Sequence, residues 1–156
     1  MSRTSWYARI LIGSVVVLML APSVTGVDSG LSPDDVWDDT SVWETPLWLQ
    51  VWLMGIVFPT FLASLFFLHR SLEARLALGG FVLSHLPMML GLFETTVGQV
   101  ALIHVVCYSP ALLLLAKRRP RVTARSPFGL WVHAMLAVLA VGLAFDLRDS
   151  LRTLFL

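Results

Sequence analysis

Residues 79–116 read GGFVLSHLPMMLGLFETTVGQVALIHVVCYSPALLLLA, and this stretch decides the fold. It holds two apolar segments joined by Glu94-Thr95-Thr96, and each segment approaches the roughly 20 residues that a helix needs to cross a bilayer. Thr96 and Gln99 have the spacing of a capping box, in which two side chains satisfy free N–H groups at a helix start. We therefore predict a hairpin of two membrane-spanning helices.

The composition of the whole chain is that of an integral membrane protein. Of its 156 residues, 57% are hydrophobic and 13% are charged, and the mean hydropathy is +0.80. Soluble domains carry about 25% charged residues. The net charge of +1 indicates no nucleic-acid partner, and the single cysteine, Cys107, cannot form an internal disulfide.

Apolar segments outside the hairpin extend the prediction to an all-α, polytopic membrane bundle of about five transmembrane helices. The segments lie at about residues 6–24, 47–68, 76–93, 98–116 and 128–145. The last four are expected to form a four-helix core, and the first resembles a signal anchor. We expect four regions: an N-terminal helix in 1–26, an acidic loop in 27–45, the bundle in 46–146 and an amphipathic tail in 147–156.

The first segment has two interpretations. A cleavable signal peptide fits the apolar run from Ile10 to Ala21, which is followed by small residues. A retained helix fits Trp6 and Tyr7, which resemble an interfacial aromatic anchor. We expect the retained helix.

Basic residues predict how the helices are oriented, because Lys and Arg concentrate in cytoplasmic loops. With five spans and a cytoplasmic N-terminus, nine of the 11 basic residues fall on the cytoplasmic side. The acidic loop and the C-terminus then face the periplasm or the exterior. We therefore predict a multi-pass protein of a bacterial-type inner membrane.

The loop at residues 27–45 has six acidic residues and no basic one. Ser32-Pro33-Asp34-Asp35 has the pattern of a helix start, with a serine cap followed by proline, and predicts a short surface helix. Asp34, Asp35, Asp38 and Asp39 form either a solvated face or a docking surface for a basic partner.

Several polar side chains are predicted to lie at membrane depth, where ionisable groups are costly and often functional. His85, His104 and His133 are candidate ligands of haem b, and His85 and His104 with Cys107 are candidate metal ligands. Ordinary interhelical hydrogen bonds are the alternative for each histidine.

Two further polar residues extend this set. Glu94 and Tyr108 are candidates for a polar pathway. We expect Glu94 to lie at the water boundary beside the free amides of a helix start, and pairing with His104 is the alternative. Asp146, Arg148, Asp149 and Arg152 are expected to pair locally along one helix.

Three functions follow from these patterns. Stripes of small residues, such as Gly80, Ser84, Pro87 and Gly91, favour close helix packing and a non-catalytic accessory or assembly subunit of a membrane complex. Its partners would be the lipid bilayer and other membrane subunits. The alternatives are a haem- or metal-binding redox component and a small transporter or proton-conducting protein. No catalytic residues are predicted.

Overall fold

The computed structural model describes residues 31–38 and 41–155, which are mostly helical. The long helical segments are α2 (Leu47–Phe67), α3 (Leu72–Met89), α4 (Val97–Arg118) and α5 (Pro127–Phe155). A short helix, α1 (Ser41–Glu44), precedes them. Two short strands, β1 (Val36–Trp37) and β2 (Thr95–Thr96), pair antiparallel. The predicted N-terminal helix in residues 1–26 lies outside the described residues.

Three of these helices, α2, α4 and α5, are long and apolar enough to cross a membrane. Helix α3 has 18 residues and carries Glu73 and Arg75 near its start, so it is less apolar than the others. The described residues therefore bear out a helical membrane protein with three candidate spans.

The start of α4 is held by its own side chains and by the acidic loop. The predicted capping box is confirmed: Gln99 N donates to Thr96 Oγ1 at 3.4 Å, and Thr96 N donates to Gln99 Oε1 at 3.1 Å. Val97 N donates to Asp35 O and Gly98 N donates to Pro33 O, both at 2.9 Å. These N–H groups have no partner within their own helix, so the loop completes the helix start.

That contact explains why the loop does not form the predicted helix at Ser32. Instead, Ser32 and Asp35 close a turn, in which Ser32 N donates to Asp35 Oδ2 at 2.6 Å. β1 then pairs Val36 with Thr96 of β2. A short isolated helix is marginal in water, whereas the edge of the hairpin and the start of α4 offer partners for the backbone of the loop.

Helix α1 begins later than the sequence predicted. Ser41 N donates to Asp38 Oδ1 at 2.9 Å, and Asp38 N donates to Ser41 Oγ at 3.0 Å. Thr45, just before α2, donates its hydroxyl to Val42 O at 2.6 Å. Pro46 occupies the cap position of α2, without a side-chain hydrogen bond.

Helix α2 changes its winding along its length. It is α-helical over Leu47–Gln50, π-helical over Val51–Val57, α-helical over Phe58–Ala63 and 3-10 over Ser64–Phe67. Pro59 lacks an N–H and cannot continue the regular hydrogen bonds, and it lies just after the π-helical segment. The Trp131 indole N–H of α5 donates to Thr60 O at 3.3 Å and ties α2 to α5.

Helix α3 ends earlier than predicted, at Met89 rather than near Phe93. Gly91 adopts a φ of 63°, a conformation that glycine reaches without steric cost. Leu92 N donates to Pro87 O at 3.0 Å, and Gly91 N donates to Met88 O at 2.9 Å. This is a Schellman ending, so Gly91 terminates α3 instead of extending its small-residue stripe.

Helix α5 is longer than predicted. It runs without interruption to Phe155, whereas the sequence predicted a helix to about Phe145 and a separate tail in 147–156. No glycine or proline follows Phe145, so nothing in the sequence stops the helix. The added turns pack on α4, where a Cβ on Gly98 would collide with Thr153.

Helices α3 and α4 are antiparallel and approach closely at Gly80. A Cβ on this glycine would lie 2.6 Å from the backbone oxygen of Cys107 and 3.1 Å from Tyr108 Cδ1. Where α3 begins and α4 ends, Arg118 Nε lies 3.9 Å from Glu73 Oε1. Small residues allow such approach between membrane helices, as predicted for Gly80 and Ser84, which are both buried.

We expect Gly80→Ala to lower the free energy of unfolding by about 1–3 kcal/mol, because the added methyl group meets backbone rather than a movable side chain. The measurement is reversible unfolding in mixed detergent micelles. Gly79→Ala is the matched control, because nothing lies within 4 Å of its Cβ position. Equal effects of the two substitutions would contradict the close α3–α4 contact.

Candidate functional site

Helices α3 and α4 place His85 and His104 side by side. Their ring centroids are 5.0 Å apart, and the ring planes differ by 23°. Phe81 stacks on His85 at 4.4 Å, and Tyr108 stacks on His104 at 4.9 Å. Phe61 of α2 closes the arrangement, 4.8 Å from Phe81 and 5.2 Å from Tyr108. These five rings are called the aromatic cluster below.

Ser84 connects the polar atoms on one side of the aromatic cluster. Its Oγ lies 3.0 Å from Tyr108 OH, 2.9 Å from His85 Nδ1 and 3.1 Å from Phe81 O. His85 Nδ1 is also 3.1 Å from Phe81 O. Because a carbonyl only accepts hydrogen bonds, we assign the hydrogen of neutral His85 to Nδ1, which leaves the lone pair on Nε2.

His104 is paired across the bundle with Asp146 of α5. His104 Nδ1 lies 3.4 Å from both Asp146 Oδ1 and Asp146 Oδ2. The two side chains are only 17% and 20% exposed. The other ring nitrogen, His104 Nε2, is buried and has no hydrogen-bond partner among the described residues.

The interhelical role of Asp146 corrects the prediction that it pairs locally. The local pair that the structure shows joins adjacent residues rather than residues three or four apart, with Arg148 Nε 2.9 Å from Asp149 Oδ1. Asp146 was missed because α5 was predicted to end at Phe145. The signal that marks it is its place in one helical stripe with buried residues of α5: Val132, Met135, Leu139, Leu143 and Ser150.

The geometry of the two stacked histidines does not fit haem b. Two axial ligands lie on opposite faces of a porphyrin and point ring nitrogens at the iron, whereas His85 and His104 stack face to face. His133, the third predicted candidate, hydrogen-bonds through Nδ1 to Gly129 O at 2.6 Å within its own helix.

The predicted metal set of His85, His104 and Cys107 is not assembled either. Within the described ranges, no group of three or more His, Cys, Asp and Glu residues is arranged to hold a metal ion. The backbone oxygen of Cys107 faces Gly80, so the close contact between α3 and α4 involves the main chain of this residue.

Of the two predicted pathway residues, Tyr108 lies in the aromatic cluster and Glu94 does not. Glu94 is exposed in the turn between α3 and β2, and the carboxylate next to His104 belongs to Asp146 rather than to Glu94. Glu94 is thus exposed, as expected, and the alternative role of pairing with His104 belongs to Asp146, because α5 extends far enough to bring its own carboxylate to that position.

The acidic residues predicted to dock a partner have different surroundings. Asp34 and Asp35 are exposed in the turn that contacts α4. Asp38 caps α1, and Asp39 lies outside the described residues.

Comparisons with protein families, curated proteins and solved structures found no match. We therefore infer the chemistry of the site from the arrangement of its own side chains. With His104 Nδ1–H donating to Asp146, the lone pair of neutral His104 is on Nε2. The pair can take up one proton there and become an imidazolium–carboxylate ion pair, next to His85 and the hydroxyls of Ser84 and Tyr108.

We expect His104 and Asp146 to be coupled in stability. In a double-mutant cycle with His104→Gln and Asp146→Asn, the coupling energy should be about 0.5–2 kcal/mol, the range for polar pairs between membrane helices. Unfolding in detergent micelles measures it. Asp149→Asn, on the same helix, is the control and should show no coupling to His104→Gln. A coupling near zero for Asp146 would contradict the pairing.

Proposed function

We propose that this protein is a proton-transferring, multi-pass protein of a bacterial-type inner membrane, in which the His104–Asp146 pair accepts and releases the proton. One observation carries the proposal: His104 places Nδ1 on a carboxylate, while Nε2 is buried without a partner among the described residues. Ionisable groups at membrane depth commonly serve as proton relays.

The surroundings of the pair support a relay. A carboxylate at one ring nitrogen stabilises the imidazolium that forms when the other nitrogen is protonated. His85 stacks on His104 at 5.0 Å, and His85 Nδ1 contacts the Ser84 hydroxyl, which contacts Tyr108 OH. Hydroxyl groups both donate and accept hydrogen bonds, so this side of the aromatic cluster can reorient as a proton moves.

The membrane arrangement in this proposal has five spans, with a cytoplasmic N-terminus and a periplasmic C-terminus. The Glu73–Arg118 contact supports it, because it brings the basic connections before α3 and after α4 to one end of the bundle. The acidic loop lies at the opposite end, against the start of α4. The orientation puts His104 and Asp146 nearer the acidic, outward end.

We expect purified protein in liposomes to conduct protons under an imposed membrane potential, read out with a trapped pH-sensitive dye. Asp146→Asn and His104→Gln should each lower the flux at least about tenfold, equivalent to a barrier higher by about 1.4 kcal/mol. Glu94→Gln, in the exposed turn after α3, and His133→Gln, on α5, are matched controls and should leave the flux unchanged.

Wild-type flux no greater than that of empty liposomes would overturn the proposal. So would an equal loss in the two control variants, because no hydrogen bond, ion pair or ring contact joins Glu94 or His133 to the aromatic cluster or to Asp146 in the described structure.

A second candidate function, the accessory subunit, is favoured by the surface of α2. In the most apolar 18-residue stretch of α2, 17% of the residues are buried inside the protein, compared with 50% in the corresponding stretch of α5. Leu65 and Phe66 are 53% and 76% exposed. In a membrane, such a face contacts lipid or the helix of another subunit.

Photocrosslinking in cells tests this candidate. A photoreactive residue in place of Phe66 should give one discrete adduct with another membrane protein. The same residue in place of Val106, which is 68% exposed on α4, should give none. Diffuse labelling of lipid alone at both positions would count against an accessory subunit.

A further inference from the structure

Two basic connections meet at one end of the bundle, and together they are called the basic end. Its basic residues are Arg70, Arg75, Lys117, Arg118, Arg119, Arg121 and Arg125. The Glu73–Arg118 contact at 3.9 Å links the two connections. Glu73 is the one acidic residue in segments 69–75 and 117–126, so these segments carry a formal charge of +6.

The backbone holds these charges in defined positions. Arg75 Nε donates to Leu68 O at 2.7 Å, across the turn between α2 and α3. A 3-10 turn at Arg119–Arg121 follows α4, and Ser126 Oγ accepts from Gly129 N at 3.0 Å at the start of α5. The basic side chains are therefore presented by ordered connections.

An aromatic group lies directly beside the basic end. Phe128 is 5.3 Å from Phe67 and 5.8 Å from Trp131, measured between ring centroids. The guanidinium carbon of Arg118 lies 5.8 Å from the centre of the Phe128 ring. Basic groups next to aromatic rings at the end of apolar helices are typical of the boundary between lipid headgroups and acyl chains.

We infer that the basic end is a binding surface for anionic phospholipid headgroups. Like charges at this density repel one another, and a negatively charged headgroup compensates them. Arginine suits this role because its planar donors bind phosphate oxygens in pairs. Arg121 and Arg125 are exposed and are available for the headgroup, whereas Arg118 is engaged by Glu73 and Phe128. The neighbouring apolar helix surface accepts the acyl chains.

Thermal unfolding of the full chain in a neutral detergent tests this inference, with phosphatidylglycerol or phosphatidylcholine added. Phosphatidylglycerol should raise the melting temperature at much lower concentration than phosphatidylcholine. The preference is the ratio of the phosphatidylcholine and phosphatidylglycerol concentrations that give the same rise in melting temperature. In Arg121→Gln/Arg125→Gln this ratio should fall by about 30-fold, the expected effect of two basic side chains near an anionic surface. In the wild-type protein, the preference for phosphatidylglycerol should also fall as the salt concentration is raised.

Two variants sharpen the result. Arg148→Gln/Arg152→Gln removes the same charge from the other end of α5 and should keep the preference. Arg121→Lys/Arg125→Lys keeps the charge and should retain most of it. Equal stabilisation by both lipids, an equal loss in the Arg148/Arg152 variant, or full stabilisation by inorganic phosphate alone would each overturn the inference.

Discussion

The antiparallel contacts of α4 with α3 and α5 are the constraint on which the rest of the structure depends. On one side, Gly80 lets α3 approach the main chain of Cys107. On the other side, Gly98 leaves room for Thr153 of α5. Each contact fixes a register, and that register brings His85 beside His104 and His104 beside Asp146. Without the small residues the helices would separate, and polar side chains in the bundle would lose their partners.

Most polar side chains in and beside the aromatic cluster are placed where their burial is compensated. In hydrocarbon, a polar group without a partner costs several kcal/mol, on the order of what a whole helix contact contributes. Ser84, His85 and Tyr108 satisfy one another, and His104 is satisfied on one nitrogen only. Trp48 Nε1, Ser64 Oγ and Ser150 Oγ are also buried without a hydrogen-bond partner among the described residues, but only His104 Nε2 belongs to a ring that is paired with a carboxylate, and a nitrogen so placed can take up a proton. Stability and the proposed function therefore share the same atoms.

The two ends of the bundle differ in charge and in how they are held. At one end, the backbone of the acidic loop completes the first turn of α4 through the oxygens of Pro33 and Asp35. At the other end, arginines dominate, and the Glu73–Arg118 contact links the two connections. A chain with this polarity has a preferred direction in a membrane, and the proposed contact with anionic lipid lies at the arginine-rich end.

The sequence by itself determined the class of protein, the approximate helices and the cap at Thr96 and Gln99, because hydropathy and capping are local properties. It did not determine where α3 and α5 end. Gly91 stops α3 through a left-handed turn, and α5 continues because the turns beyond Phe145 pack on α4. The candidate site shows the same division: the sequence pointed to His85, His104 and Tyr108, but it assigned Asp146 to local pairs and offered Glu94 only as an alternative partner for His104. Only the tertiary structure decided that partner, because it depends on the register between α4 and α5, which brings together two residues 42 positions apart in the chain.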